Sequence, residues 1–212
     1  MKTPTAIRIL CGAAALGLPL LASAESNVQT STTNAALSAT AHVNFSVVIP
    51  KSLYLRVGTG SAYASGTLAA NATIDTITFT PAVGAVGNSV AVAGVGGDLS
   101  GGVETAAIVS NGGNVSLVAN TGGPLNDGAG HNIAYTQITT TASAGTFPTL
   151  LTPPTLANGA SNTVTLTAPA SGVVMADAQW KYQYANANTV PAGTYGSTVA
   201  NNGQVTYTAS MP

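Results

Sequence analysis

The stretch that decides the fold is residues 191–212, PAGTYGSTVANNGQVTYTASMP. The second half of this stretch alternates, with apolar Val205, Tyr207, Ala209 and Met211 separated by polar residues. A period of two is typical of a β-strand that packs one face against a core. Asn201, Asn202 and Gly203 favour a turn, because Asn and Gly tolerate positive φ. We predict a β-hairpin whose three-residue loop is 201–203, with Val199 paired to Val205 and Gly203 in the left-handed region.

Two further features of the C-terminal region predict a core. Tyr195 follows Pro191 by four residues, a spacing similar to the tyrosine corner of two-sheet sandwiches, where the hydroxyl bonds to upstream backbone. Trp180 and Tyr182 alternate with Lys181 and Gln183, so the aromatic side chains share one face of a strand. The predicted core and hairpin residues are Trp180, Tyr182, Tyr195, Val205 and Tyr207.

Outward from these strands, the chain consists of short alternating segments separated by Gly, Pro and Asn. Clear examples are residues 53–57, 114–119 and 163–168, whereas 139–162 is rich in Pro, Thr and Ala and is interpreted as a long connection. After the N-terminal segment no window has a sustained helical period. The predicted fold is therefore all-β, an Ig-like antiparallel β-sandwich.

The N-terminal end has the pattern of a secretory signal peptide. Lys2 and Arg8 precede an apolar run that is too short to span a bilayer, and Ala22-Ser23-Ala24 resembles a cleavage site. A membrane anchor is the less favoured alternative. The expected organisation is a signal peptide at 1–24, a flexible arm at 25–36 and one sandwich domain at 37–212, with no membrane span after cleavage.

The longest alternation in the sequence runs through residues 37–49. Its apolar members are Leu37, Ala39, Ala41, Val43, Phe45, Val47 and Ile49, and Pro50 follows them. The run is about twice as long as an ordinary strand of roughly 5–6 residues. We interpret it as an assembly strand, in which 37–43 pairs with another subunit and Phe45 and the residues after it stay in their own sandwich. The alternative is that the whole run completes its own fold.

Composition excludes several classes of function. Only 5% of the residues are charged and the formal net charge is −1, so there is no basic surface for nucleic acid. The single Cys11 lies in the signal region, which leaves no disulfide and no thiolate metal site. His42 and His131 are far apart and belong to no catalytic motif, and the segment 126–128 is interpreted as a turn. No enzyme activity and no cofactor are expected.

The arrangement of the two ends resembles chaperone–usher pilin subunits, in particular their cysteine-free alternate group. The matching pieces are the alternating run 37–49, Pro50, the short strand 53–57, and Ala192-Gly193-Thr194-Tyr195 with the strand at 205–211. The resemblance implies an exported structural and adhesion subunit of a fimbria on the cell surface. The implied partners are copies of itself or other exported subunits, and a periplasmic chaperone.

A second hypothesis is a self-contained secreted sandwich that binds a glycan, cell wall or host surface. AGTY hairpins also occur in secreted bacterial Ig-like domains of that kind, although paired W-x-L motifs of wall-binding domains are missing here. An aromatic groove around Tyr182 and Tyr184 would favour this binder, whereas a sandwich that lacks an edge strand would favour the pilin-like subunit.

Overall fold

The computed structural model describes residues 25–63 and 70–212. Contacts between Cα atoms divide the chain into two units, Met1–Ile49 and Pro50–Pro212. All strands of the described residues lie in the second unit. They are β1 (Leu53–Val57), β2 (Ile77–Thr78), β3 (Val92–Ala93), β4 (Val95–Gly96), β5 (Val103–Ser110), β6 (Val115–Thr121), β7 (Leu125–Asn126), β8 (Asn132–Ile133), β9 (Ile138–Ala144), β10 (Thr149–Leu150), β11 (Ser161–Leu166), β12 (Val174–Tyr184) and β13 (Val205–Ser210). The predicted signal peptide lies outside the described residues.

Two antiparallel layers dominate the second unit and confirm the all-β prediction. The first sheet has β12 at its centre, with β5 and then β1 on one side and β9 on the other. The short β10 adds a parallel pairing on the β9 side. The second sheet has the order β11-β6-β13, all antiparallel. β3 pairs antiparallel with the end of β12, and the two-stranded ribbons β2-β4 and β7-β8 complete the pairings among the described residues. No helix among the described residues is long and apolar enough to cross a bilayer.

The core lies between the two layers and follows from the alternation of the three central strands. Side chains that point inward are fully buried: Ala106 and Ile108 of β5, Val115, Leu117 and Ala119 of β6, and Ala176, Ala178 and Trp180 of β12. Trp180 is 0% exposed, and its indole N–H donates to the carbonyl of Leu151 at 2.7 Å. Tyr182 is buried as well, while Lys181 on the opposite face is exposed.

The predicted C-terminal hairpin is wrong, although its second strand exists as β13. β13 pairs with β6, so that Val205 lies opposite Thr121 and Ala209 opposite Leu117. Val199 is not in a strand and is 69% exposed. The left-handed residue is Asn202, with a φ of 55°.

The reason is that residues 196–203 are fixed by other backbone bonds. The amide of Gly203 donates to Thr198 at 2.7 Å, and the carbonyl of Asn201 accepts from Asn126 at 3.1 Å. This compact turn takes the place of a first hairpin strand. The buried strand β6 offers β13 a longer apolar partner than residues 194–199 could supply.

The predicted tyrosine corner is confirmed, because the hydroxyl of Tyr195 donates to the carbonyl of Pro191 at 2.8 Å. We expect Tyr195→Phe to lower the free energy of unfolding by about 1 kcal/mol, since one hydrogen bond is lost and the ring remains. Urea unfolding of the variant beside the wild type measures this difference. A loss below the error of the measurement would show that the bond contributes nothing to stability.

The predicted long connection at 139–162 is also wrong. It contains β9 and β10, both of which pair with β12. β9 has the sequence ITTTASA, and Thr favours a half-exposed sheet surface. Its partner β12 is long enough to pair with β5 on one edge and with β9 on the other.

Candidate functional site

β1 and β13 are outer strands of the two different sheets and lie beside each other on one side of the sandwich. We call the surface along these two edges the groove. β1 pairs only with β5 and β13 only with β6 among the strands of the described residues. Cα atoms of β1 and β13 come within 8 Å of each other, yet no strand pairing joins them. Each strand therefore keeps one edge that another strand can pair with.

Apolar side chains line this groove and are only half-buried. They are Leu53, Leu55 and Val57 of β1, and Val205, Tyr207, Ala209 and Met211 beside them, all packed against the core cluster. Their immediate neighbours on β5 and β6, by contrast, are fully buried. The core is thus fully buried beneath the groove and half-buried along it. One more strand with apolar side chains would complete it.

Tyr207 forms the aromatic part of the groove wall. Its ring centroid is 5.3 Å from that of Trp180, and its hydroxyl lies 3.0 Å from the hydroxyl of Tyr182. Burial raises the pKa of Tyr207 to about 12, so the phenol stays neutral at physiological pH. This part of the groove wall is therefore uncharged, and the buried side chains of Trp180 and Tyr182 pack against it.

The sequence of β13 carries none of the residues that usually prevent pairing at a sheet edge. Natural proteins protect such edges with charged residues, Pro, bulges or covering loops. β13 has the sequence VTYTAS, without a charge or a Pro, and its pairing to β6 is regular over its whole length. This edge is therefore open to a further strand.

The predicted assembly strand, residues 37–49, is not a strand in the structure. The chain runs from Ala35 to Ser52 without a strand, a turn or a bend, and every residue in this run is exposed. Phe45 is 90% exposed, and Val43, Val47, Val48 and Ile49 are between 74 and 87% exposed. The predicted residues Leu37, Ala39 and Ala41 are exposed too.

The prediction that Phe45 and the residues after it stay in their own sandwich concerns two separate units and stays a prediction. A strand needs a partner for its N–H and C=O groups and a surface that covers its apolar face. Neither is provided for 37–49 by residues 25–49, the described part of this unit. Inside this unit the side chain of His42 lies 2.8 Å from the carboxylate of Glu25, and both side chains are exposed.

The polar candidates from the sequence form local pairs and turns. His131 lies 2.7 Å from the carboxylate of Asp127, and this hydrogen bond is the main cause that lowers the pKa of Asp127 to about 2. Asp127 also accepts from the amides of Ala129 and His131, which confirms the predicted turn. Among residues 25–63 and 70–212, no three His, Cys, Asp or Glu side chains are placed to hold a metal ion.

The aromatic groove expected for a glycan binder is not at the surface, because Tyr182 and Tyr184 are both buried. Another aromatic group, Tyr54, Tyr63 and Phe147, does reach the surface. Its ring centroids are 5.8 and 6.4 Å apart. The successive rings are inclined by 50° and 81°, so they form no flat platform on which a sugar ring could stack. A surface cleft of about 510 Å³ near the ends of β10 and β11 is lined by Thr, Pro, Ser and apolar residues and contains no ionisable side chain.

The described residues define the class of protein: an all-β, two-sheet sandwich in which the neighbouring edge strands β1 and β13 each pair with one strand of residues 25–63 and 70–212. No protein-family model matches this chain, and no curated protein or solved structure matches it significantly. The sequence analysis found the apolar run and β13, but it missed the groove. One sequence feature could have indicated the groove: a short apolar strand directly after Pro50 can lie at a sheet edge. Its apolar residues are Leu53, Leu55 and Val57.

Proposed function

We propose that this chain is a non-enzymatic structural subunit that is exported and assembles on the cell surface by strand exchange. The observation that carries the proposal is the pair of complementary features in one sequence: a half-buried apolar edge along β13 and an exposed alternating segment. In this proposal the segment of one copy enters the groove of the next. Because each copy both donates and accepts, the contact is head-to-tail and can extend into a fibre.

Length and spacing support this fit. Val43, Phe45, Val47 and Ile49 cover seven residues, and so do Val205, Tyr207, Ala209 and Met211 on the edge of the groove. Both sets alternate with a period of two, so four apolar side chains can lie along a wall of four. The proposed donor is therefore 43–49, with 37–42 as the leading end of the inserted strand. This shifts the donor toward Pro50 from the position that the sequence suggested.

Charge supports the same pairing. Between residues 35 and 49 the only titratable side chain is His42, and the polar members of the alternation are Ser, Thr and Asn. Insertion would therefore bury no unpaired charge in the groove, which removes the largest cost of such a contact. The donor's main-chain groups would pair with the free edge of β13, and its apolar face would cover Tyr207 and Ala209.

Phe45→Asp tests the proposal, with Ser46→Asp as its matched control on the opposite face of the same segment. The mature protein, residues 25–212, is concentrated and its mass is followed by size-exclusion chromatography with light scattering. We expect association of the wild type and of Ser46→Asp. Burial of a Phe contributes about 2 kcal/mol, and an inserted carboxylate adds a desolvation cost, so Phe45→Asp should weaken association at least roughly tenfold.

A wild type that stays monomeric at every concentration, and also with its co-exported proteins present, would contradict the proposal. The self-contained surface domain that binds a glycan or cell wall would then remain. If both variants lost association equally, the cause would be the added charge in general and not the apolar face of the segment.

A further inference from the structure

A cluster of four charged residues lies where β1 ends. Arg56 of β1 pairs with Asp98 at 2.9 Å and also donates to the carbonyl of Gly58 at 2.7 Å. Asp98 accepts from the amide of Thr105 at 2.7 Å. The other two members are Asp75, which precedes β2, and Glu104 of β5. We call Arg56, Asp75, Asp98 and Glu104 the edge cluster.

Glu104 is the unusual member, because its position in β5 directs it toward the core rather than toward solvent. It is 5% exposed, and its cross-strand partner in β12 is Trp180. Its carboxyl accepts from the amide of Asp98 at 3.3 Å, and one of its oxygens lies beside an oxygen of Asp75, since both approach Gly58 closely. A hydrogen bond between two carboxyl groups requires one proton, since an ionised carboxylate has no donor.

Gly58 shows how closely the two carboxyl groups approach the backbone. A Cβ at this position would lie 2.3 Å from an oxygen of Asp75 and 2.7 Å from an oxygen of Glu104. Gly58 also has a φ of +83°. Asp75 accepts in addition from the amide of Thr59 at 2.5 Å and from its hydroxyl at 2.8 Å. Asp75 therefore joins the end of β1 to Glu104 through Thr59.

We propose that Glu104 and Asp75 form a proton-dependent clasp that holds Thr59, directly after β1, against β5 while they share one proton and loosens when that proton is lost. Glu104 is the donor and Asp75 the ionised acceptor. This inference does not depend on strand exchange, since every group in it belongs to one chain.

The charges around Glu104 support this assignment of the proton. Asp75 and Asp98 both repel an ionised Glu104, and Arg56 is already paired with Asp98. The remaining titratable groups that face Glu104 are the phenols of Tyr182 and Tyr207, which are neutral. Burial, reinforced by the two carboxylates, raises the pKa of Glu104 to about 7, while the pKa of Asp75 is lowered by its hydrogen bonds against the opposing effect of burial.

The direction of the pH effect follows from the raised pKa. The closed clasp holds the Glu104 proton up to about pH 7, whereas an opened, hydrated Glu104 loses it near its ordinary value of 4.5. The equilibrium constant for opening therefore increases as pH rises from 4.5 to about 7. Above that pH it stays constant, because Glu104 is then deprotonated in both states. Each pH unit inside this window increases the equilibrium constant for opening by at most tenfold.

Native-state hydrogen exchange of the Thr59 amide tests the clasp in the full mature protein. After correction for the intrinsic exchange rate, we expect its protection to fall on the order of 100-fold between pH 5 and 7.5 and then to level off. In Glu104→Gln the side-chain amide can donate to Asp75 at every pH, so protection should become independent of pH in this range. His131→Gln, which alters only the exposed pair with Asp127, should behave as the wild type.

A second measurement needs no variant and covers the case in which Glu104→Gln fails to fold. Carbon-detected NMR titration of the wild type should show the Glu104 carboxyl changing near pH 7, well above the other acids. A midpoint below pH 5.5 would overturn the proposal. So would unchanged Thr59 protection across the window, or the same pH dependence in Glu104→Gln as in the wild type.

Discussion

Trp180→Ala is expected to lower the free energy of unfolding by about 3–5 kcal/mol, the usual cost of truncating a fully buried large aromatic side chain. Trp180 is 0% exposed and lies in the central strand of the first sheet. The substitution removes its contact with Tyr207, leaves a cavity between the sheets, and deprives the carbonyl of Leu151 of its indole donor. Since small domains are stable by only about 5–15 kcal/mol, this loss would be a large fraction of the total.

Urea unfolding followed by far-ultraviolet circular dichroism measures the change, because the variant has no Trp to report by fluorescence. Trp180→Phe is the matched control: it keeps most of the apolar volume, loses the hydrogen bond to Leu151, and should cost clearly less than the Ala variant. A loss below 1 kcal/mol for Trp180→Ala would contradict the placement of this side chain at the centre of the core.

The parts of the fold that could be predicted are those in which one strand's own pattern carries the information. β1, β11 and β13 alternate clearly, and each was predicted within a few residues of its position. The tyrosine corner was predictable for the same reason, because Pro191 and Tyr195 are only four residues apart and their bond is local.

The errors concern pairings between distant residues. β13 pairs with β6 instead of with the residues just before it, so a good turn sequence at 201–203 led to a hairpin that does not form. The Thr-rich sequence of β9 has little apolar character and favours a connection, and only the long edge of β12 makes it a strand. The order of strands within a sheet depends on loop closure and packing, which no short window of sequence contains.

The groove could not be predicted for this same reason. Leu53 and Tyr207 become half-buried only because β1 and β13 end their respective sheets at the same opening. The burial of Glu104 could not be predicted either, since a single acid in an apolar strand usually points to solvent. Its inward direction depends on the register of β5 against β12. The apolar run 37–49 was visible in the sequence, but its exposure in the structure was not.

Mixing two defective variants is expected to give the clearest evidence for strand exchange. Phe45→Asp damages the donor segment and leaves the groove intact. Ala209→Phe fills the groove with an additional ring and leaves the donor intact, since Ala209 is a small, half-buried residue on the inward face of β13. Each variant alone should remain monomeric, because neither has both functional parts.

When the two are mixed, the intact donor of the Ala209→Phe variant can enter the intact groove of the Phe45→Asp variant, so a dimer with one copy of each should form. The dimer cannot grow, because its remaining groove is blocked and its remaining donor is damaged. Light scattering measures the mass, and native mass spectrometry of one isotope-labelled variant measures the composition.

Thr208→Phe is the matched control for the groove variant, because the same ring on the exposed outer face of β13 leaves the groove open. It should associate as the wild type does. If residues 43–49 instead folded back on β1 of their own chain, the mixture would stay monomeric like its components. A mixed dimer would exclude this self-pairing, because the only functional donor and the only functional groove then belong to different chains.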